Sequence, residues 1–135
     1  MVTSVYVTSP EGHTGKSSVA LGLLESFVRR VGRVGVFRPI TRGDADKDSV
    51  VELLLAHDGV DLSYDDCVGV SYDDVHADPD GALATIVQRY HHVADRCDAV
   101  VIVGSDYTDV AGPTELAFNA RVAANLLDKA FSFRP

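Results

Sequence analysis

The chain has 135 residues, 46% of them hydrophobic and 24% charged. That length and composition suit one globular α/β domain and exclude a disordered or collagen-like chain. The net charge of −8 is concentrated in the middle third, where residues 58–98 carry 10 acidic and 2 basic side chains. No Lys or Arg occurs between Lys47 and Arg89, so the basic track that a nucleic-acid partner demands is missing and no such partner is expected. No apolar run approaches the roughly 18 residues of a membrane span, and the N-terminus lacks the basic start and long apolar stretch of a signal peptide. A cytoplasmic location without a membrane partner is the expectation. Cys67 and Cys97 show no CxxC spacing, which points to ordinary thiols rather than a zinc site or a disulfide framework.

The alternating, β-branched run Val2–Thr8 reads as a strand. After a loop, Val19, Ala20, Leu23, Leu24, Phe27, Val28 and Val31 recur at three- and four-residue spacing, which predicts a helix of about fifteen residues ending near Gly32. Val34–Phe37 is a short strand that Pro39 is expected to close. Strand, helix and strand in this order announce a parallel sheet with a right-handed crossover. A short helical pattern covers Ser49–His57, and Cys67–Val70 reads as an extended piece between acidic turns. Pro79, capped by Asp78, opens a helix reaching about Arg96. Ala99–Val103 is a continuous apolar run expected to be a strand covered on both faces. Pro113 starts a final helix whose buried side is predicted to be Leu116, Ala120, Ala123 and Leu127. No strand pattern follows, so the last crossover has no expected destination and Val2–Thr8 is left as an association-prone edge.

The chemistry is concentrated in Ser9-Pro10-Glu11-Gly12-His13-Thr14-Gly15-Lys16-Ser17-Ser18, between the first strand and the first helix. Gly12 and Gly15 permit a tight turn that points N–H groups inward, the helix N-terminus adds its positive end, and Lys16 adds a compact charge. Ser17 is the candidate Mg²⁺ ligand. Pro10 stands where the G-x-x-x-x-G-K-[ST] pattern has its first glycine, so the motif is incomplete. Asp106, after the apolar strand, is the candidate carboxylate for the same metal; Asp44, Asp46 and Asp48 follow the second strand. His13 is a candidate phosphate contact. His91 and His92, adjacent on one helix, point apart and read as a surface pair. Tyr107 could stack on a ligand or sit at the sheet edge. The acidic run from Asp58 to Asp80 reads as a solvated face.

Tyr6–Ser17, Val36–Ile40 and Val101–Val103 together resemble the dethiobiotin synthetase-like P-loop family, in whose longer loop variant Ser9 occupies the first glycine position. Within it, SPEGHTGKSS, VGVFRPI and VVIVGSDYTD are most similar to the N-terminal domain of long, multidomain bacterial phosphate acetyltransferases. The resemblance implies an α/β, three-layer P-loop NTPase-like fold with a parallel sheet, incomplete at its C-terminal end. It spans residues 1–126, with 127–135 as a non-matching tail. Arg38 and Gly104 stand where dethiobiotin synthetases carry a lysine and an acidic residue, departures that weaken phosphoryl transfer. The implied role is regulatory or structural. By this resemblance the parent would convert acetyl-CoA and phosphate to acetyl phosphate and CoA, and the acetyl-transfer domain is expected to lie outside this chain. No catalytic residue is then expected here. Gly12, His13, Thr14, Gly15, Lys16, Ser17 and Arg38 would bind a phosphate, a nucleotide or a small anionic effector. Mg²⁺ with ATP or another phosphorylated effector is the implied ligand set, with Ser17 and Asp106 on the metal and a homo-oligomeric parent. The alternative is an ATP-dependent carboxylate-activating enzyme, with Lys16 on the phosphates, Ser17 and Asp106 on Mg²⁺ and Arg38 on the substrate carboxylate.

Overall fold

The computed structural model describes residues 3–7, 16–42, 47–57, 59–104, 113–126 and 132–133. In chain order these form β1 (Thr3–Val7), α1 (Lys16–Arg30), β2 (Val34–Thr41), α2 (Ser49–Leu55), a 3₁₀ turn (Tyr64–Cys67), β3 (Val68–Ser71), α3 (Tyr72–Ala77), α4 (Pro79–Ala94), β4 (Ala99–Val103), α5 (Pro113–Leu126) and β5 (Ser132–Phe133). The strands make one sheet in the order β3-β2-β4-β1-β5, and every pairing is parallel. Parallel sheets need cover on both faces, and the side-chain alternation of the strands supplies it. Val5 and Val7 of β1 and Val101 and Val103 of β4 pack with Ala20 and Leu24 of α1 and Val51 and Leu54 of α2. Tyr6, Val100 and Ile102 point the other way, onto Ile86, Tyr90 and Val93 of α4 and Phe118, Val122 and Leu126 of α5. The result is the expected α/β three-layer, P-loop NTPase-like arrangement. β4 is buried along its whole length, as its unbroken apolar run requires. Among the described residues no helix is long and apolar enough to cross a membrane.

Four expectations change. β2 does not stop before Pro39 but runs through it to Thr41. The reason is a change of neighbour: Val34–Phe37 registers with β4, whereas Arg38, Ile40 and Thr41 register with β3. Pro39 lies beyond the last residue registered with β4 and is itself registered with neither strand, so its missing N–H interrupts little. Opposite it, Gly69 packs so closely that a Cβ would collide with the Pro39 carbonyl; only glycine fits there. Second, α3 arises within the acidic stretch. Its first turn is closed by a capping box in which the Ser71 hydroxyl accepts from the Asp74 N–H and the Asp74 carboxylate accepts from the Ser71 N–H. Third, the buried side of α5 is Phe118, Val122 and Leu126, while Ala120 is exposed and Ala123 only packs on the margin; Leu116 and Leu127 lie outside the described side chains. A strict four-residue spacing with one aromatic outweighs the two alanines of the predicted side, because burial scales with apolar area. Fourth, the last crossover does have a destination: β5 pairs with β1 through Tyr6–Ser132 and Val7–Phe133.

Other expectations hold. Val19, Leu23, Phe27, Val28 and Val31 flank the buried Ala20 and Leu24 of α1. Asp78 caps α4, its carboxylate accepting from the Gly81 N–H, with Pro79 as the first helical residue. β3 forms where the Cys67–Val70 extension was expected.

Candidate functional site

A parallel sheet collects the loops that follow its strands at one edge, and ligands of such folds bind where neighbouring strands send their chains to opposite faces. β1 and β4 are such neighbours. The chain after β1 enters α1 on one face, and the chain after β4 enters α5 on the other. The same divergence holds between β2, which is followed by α2 on the α1 face, and its neighbours β3 and β4, which are followed by α4 and α5 on the other; of these strands, β1 is the one followed by the helix that begins with Lys16 and Ser17.

Of the candidate residues, Gly12, His13, Thr14 and Gly15 lie outside the described residues, as do Asp44, Asp46, Asp106 and Tyr107. Lys16 is the first residue of α1, and Ser17, half-buried, is the second. The residue after β4 is the buried Gly104, whose N–H donates to the Val7 carbonyl at 2.8 Å. That bond ties the ends of β1 and β4 together but places no carboxylate at the strand end. Among the described residues no group of three or more His, Cys, Asp or Glu side chains could hold a metal ion. Of the two candidate Mg²⁺ ligands, only Ser17 is among the described residues. His91 and His92 are both exposed, and His92 Nε2 lies 3.5 Å from Asp66, which agrees with a surface pair.

Arg38 is the most informative member of this edge. It is the one charged side chain among the buried described residues, only 2% exposed. Its Nε lies 3.4 Å from Asp48 Oδ2, and its Nη1 donates to Asp48 Oδ1 at 3.5 Å. The same Oδ1 accepts from the N–H groups of Val50 and Val51 at 3.0 and 3.1 Å, capping α2. The Asp48 N–H in turn donates to the Tyr64 hydroxyl at 2.7 Å, and Lys47 Nζ stands 5.2 Å from the centre of the Tyr64 ring. Burial pushes the Tyr6 phenol well above its ordinary range, and the positive charge of Arg38 pulls it back only in part. A neutral tyrosine and a paired carboxylate are the surroundings a buried guanidinium needs.

Sequence reasoning placed Arg38 at this edge and named Asp48 only as one of three loop aspartates. It missed Tyr64, because nothing at the level of spacing connects a residue before β3 with the start of α2. A readable clue was available: Asp48 precedes an apolar-periodic run directly, which is the N-cap position.

Two phosphate acetyltransferases are similar to this chain. That of Nitratidesulfovibrio vulgaris (strain Hildenborough) is 33% identical over 136 aligned positions, and that of Synechocystis sp. (strain PCC 6803) is 30% identical over 133. Each alignment takes in 93% of this chain but only 19% of the relative, so the chain spans about a fifth of the length of these proteins. The family model described as an AAA domain matches residues 3–128. With a parallel sheet, helices on both faces and a Gly-Lys-Ser sequence leading from the first strand into the first helix, the chain belongs to this AAA domain family.

Proposed function

We propose that this chain is the N-terminal regulatory or structural P-loop-like domain of a phosphate acetyltransferase, a cytoplasmic, homo-oligomeric enzyme of acetate metabolism. The parent reaction, acetyl-CoA plus phosphate giving acetyl phosphate plus CoA, belongs to the remainder of such a protein, and the isolated chain carries no acetyl transfer. Its own chemistry is the binding of a small phosphorylated or anionic effector at a site to which Gly12, His13, Thr14, Gly15, Lys16, Ser17 and Arg38 belong. The observation that carries this reading is that the helix following β1 begins with Lys16 and Ser17, and that β1 and its neighbour β4 send their chains to opposite faces of the sheet. The relatives named phosphate acetyltransferase support the assignment of the parent.

Gly104 at the end of β4 and the Arg38–Asp48 pair favour binding over phosphoryl transfer, since the first supplies no carboxylate and the second holds the nearest buried cation. Isothermal titration with MgATP, followed by a phosphate-release assay, on the wild type and Lys16→Ala decides between the two chemistries. Binding that needs Lys16 without turnover is the expected result. Lys16-dependent ATP hydrolysis would favour the carboxylate-activating enzyme, with Ser17 and Asp106 on Mg²⁺.

A further inference from the structure

Three structural elements converge on Asp48. Its carboxylate caps α2 through Val50 and Val51, Arg38 reaches it from β2, and the Tyr64 hydroxyl takes its N–H from the turn before β3. β3 closes the circuit, because Val68, which follows that turn, registers with Arg38 itself. Both ends of the connection from β2 to α2 are therefore pinned to one point. That connection leaves the sheet at the carboxyl edge, one strand away from β4 and two from β1.

Arg38 is poorly suited to receive an anion. Its side chain is 2% exposed and its counter-charge Asp48 10% exposed, so the guanidinium is closed to solvent and its charge is already balanced by a carboxylate beside Nε and Nη1. That carboxylate is also held by two backbone N–H groups of α2, and withdrawing Arg38 would leave a buried negative charge behind. Given the reading of the carboxyl edge as an anion site, we infer that Arg38 is a positioning residue. It acts through Asp48 to fix where α2 begins and how the β2–α2 connection meets the edge, and it makes no contact with the anion.

A ligand role and a positioning role predict opposite signs for one substitution. Titration of MgATP and of inorganic pyrophosphate into the intact chain is compared for wild type, Arg38→Gln, Asp48→Asn and the double variant. Positioning predicts that each single variant weakens binding by a similar factor, about tenfold, and that the double variant is no worse than either. If Arg38 touches the anion, Asp48→Asn strengthens binding by releasing the guanidinium while Arg38→Gln weakens it, and that pattern overturns the inference. Arg38→Lys keeps the charge but loses the planar fork, so it is expected to behave like Arg38→Gln; full rescue by lysine also counts against positioning. If the wild type shows no Lys16-dependent binding, it is the anion site that fails. Arg38 is then judged by hydrogen exchange at the Val50 and Val51 amides, where faster exchange in Arg38→Gln supports its action through Asp48 and unchanged exchange refutes it. Where a charge variant does not fold, Arg38→Lys, which keeps the charge, decides: faster exchange at the same amides supports the inference and no change refutes it.

Discussion

Asp48 and Asp66 perform the same local task in different surroundings. Each accepts a hydrogen bond at the start of a short helical element: Asp48 from Val50 and Val51, and Asp66, through a capping box, from the N–H and hydroxyl of Ser63 at 3.4 and 2.9 Å. Each also faces an arginine, Arg38 in one case and Arg96 at 3.2 Å in the other. Asp48 and Arg38 are 10% and 2% exposed, whereas Asp66 and Arg96 are 26% and 47% exposed. Water screens the second pair and replaces it readily when it breaks, but nothing replaces a buried partner. The same two residue types thus make a fixed point of the fold at the carboxyl edge and a weak surface contact beside α4.

The largest effect is expected from breaking the buried pair. Asp48→Asn keeps a capable helix cap but strands Arg38, and should lower unfolding stability by about 3–5 kcal/mol in urea titrations. Asp48→Ala should cost about 1 kcal/mol more, through the lost cap. A loss below 1 kcal/mol for Asp48→Asn would put the pair in the same class as Asp66–Arg96. Gly69→Ala disturbs the frame around the pair without touching a charge, since its Cβ would collide with the Pro39 carbonyl on the strand that carries Arg38. Overpacking there should cost about 1–3 kcal/mol, read from the same titrations. Wild-type stability would mean that β3 can move away from β2.

The thiol beside Asp66 gives a subtler test. Burial, helped by the negative charges of Asp66 and Cys97, pushes the Cys67 thiol from 9.0 up to about 12. Because the folded state holds this proton more tightly than the unfolded chain, its contribution is complete below about pH 9 and is lost as pH rises towards 12. Thermal melts of Cys67→Ala should fall less steeply than wild type across that window. An identical alkaline limb would assign the loss to other buried groups such as Tyr6. The smallest effect belongs to Asp66 itself. The Ser63 hydroxyl, followed by Arg96, holds its carboxyl below the ordinary 3.8, so it stabilises the fold above that value and ceases to do so as pH falls. Asp66→Asn should cost roughly 0.2–1 kcal/mol at neutral pH, and less in high salt. A larger loss would mean that exposure does not separate the two aspartates.

The same contrast explains what could be read in advance. The acidic middle stretch looked like a solvated face, and it is largely that. Asp78 nevertheless caps α4, as Pro79 after it signals, and Asp66 and Asp74 complete capping boxes with Ser63 and Ser71 at the 3₁₀ turn and α3, a use that becomes visible only when the serine three residues before each is considered with it. β4 and the buried side of α1 were legible because apolar periodicity reports burial directly. The path of β2 through Pro39 was not, since proline is excluded from a ladder only where a neighbour awaits its N–H, and the identity of the neighbour is a property of the sheet.

Sequence alone determined the order of strands and helices apart from α3 and β5, the Gly-Lys-Ser entry into α1 and the absence of a basic track, because each depends on residues close together in the chain. Only the tertiary structure decided that β1 and β4 are neighbours whose chains depart to opposite faces. It also decided that β5 meets β1, and that Arg38, Asp48 and Tyr64 converge on one point. Those contacts join elements brought together by packing on the sheet, and what a buried charge does is set by whichever groups that packing places around it.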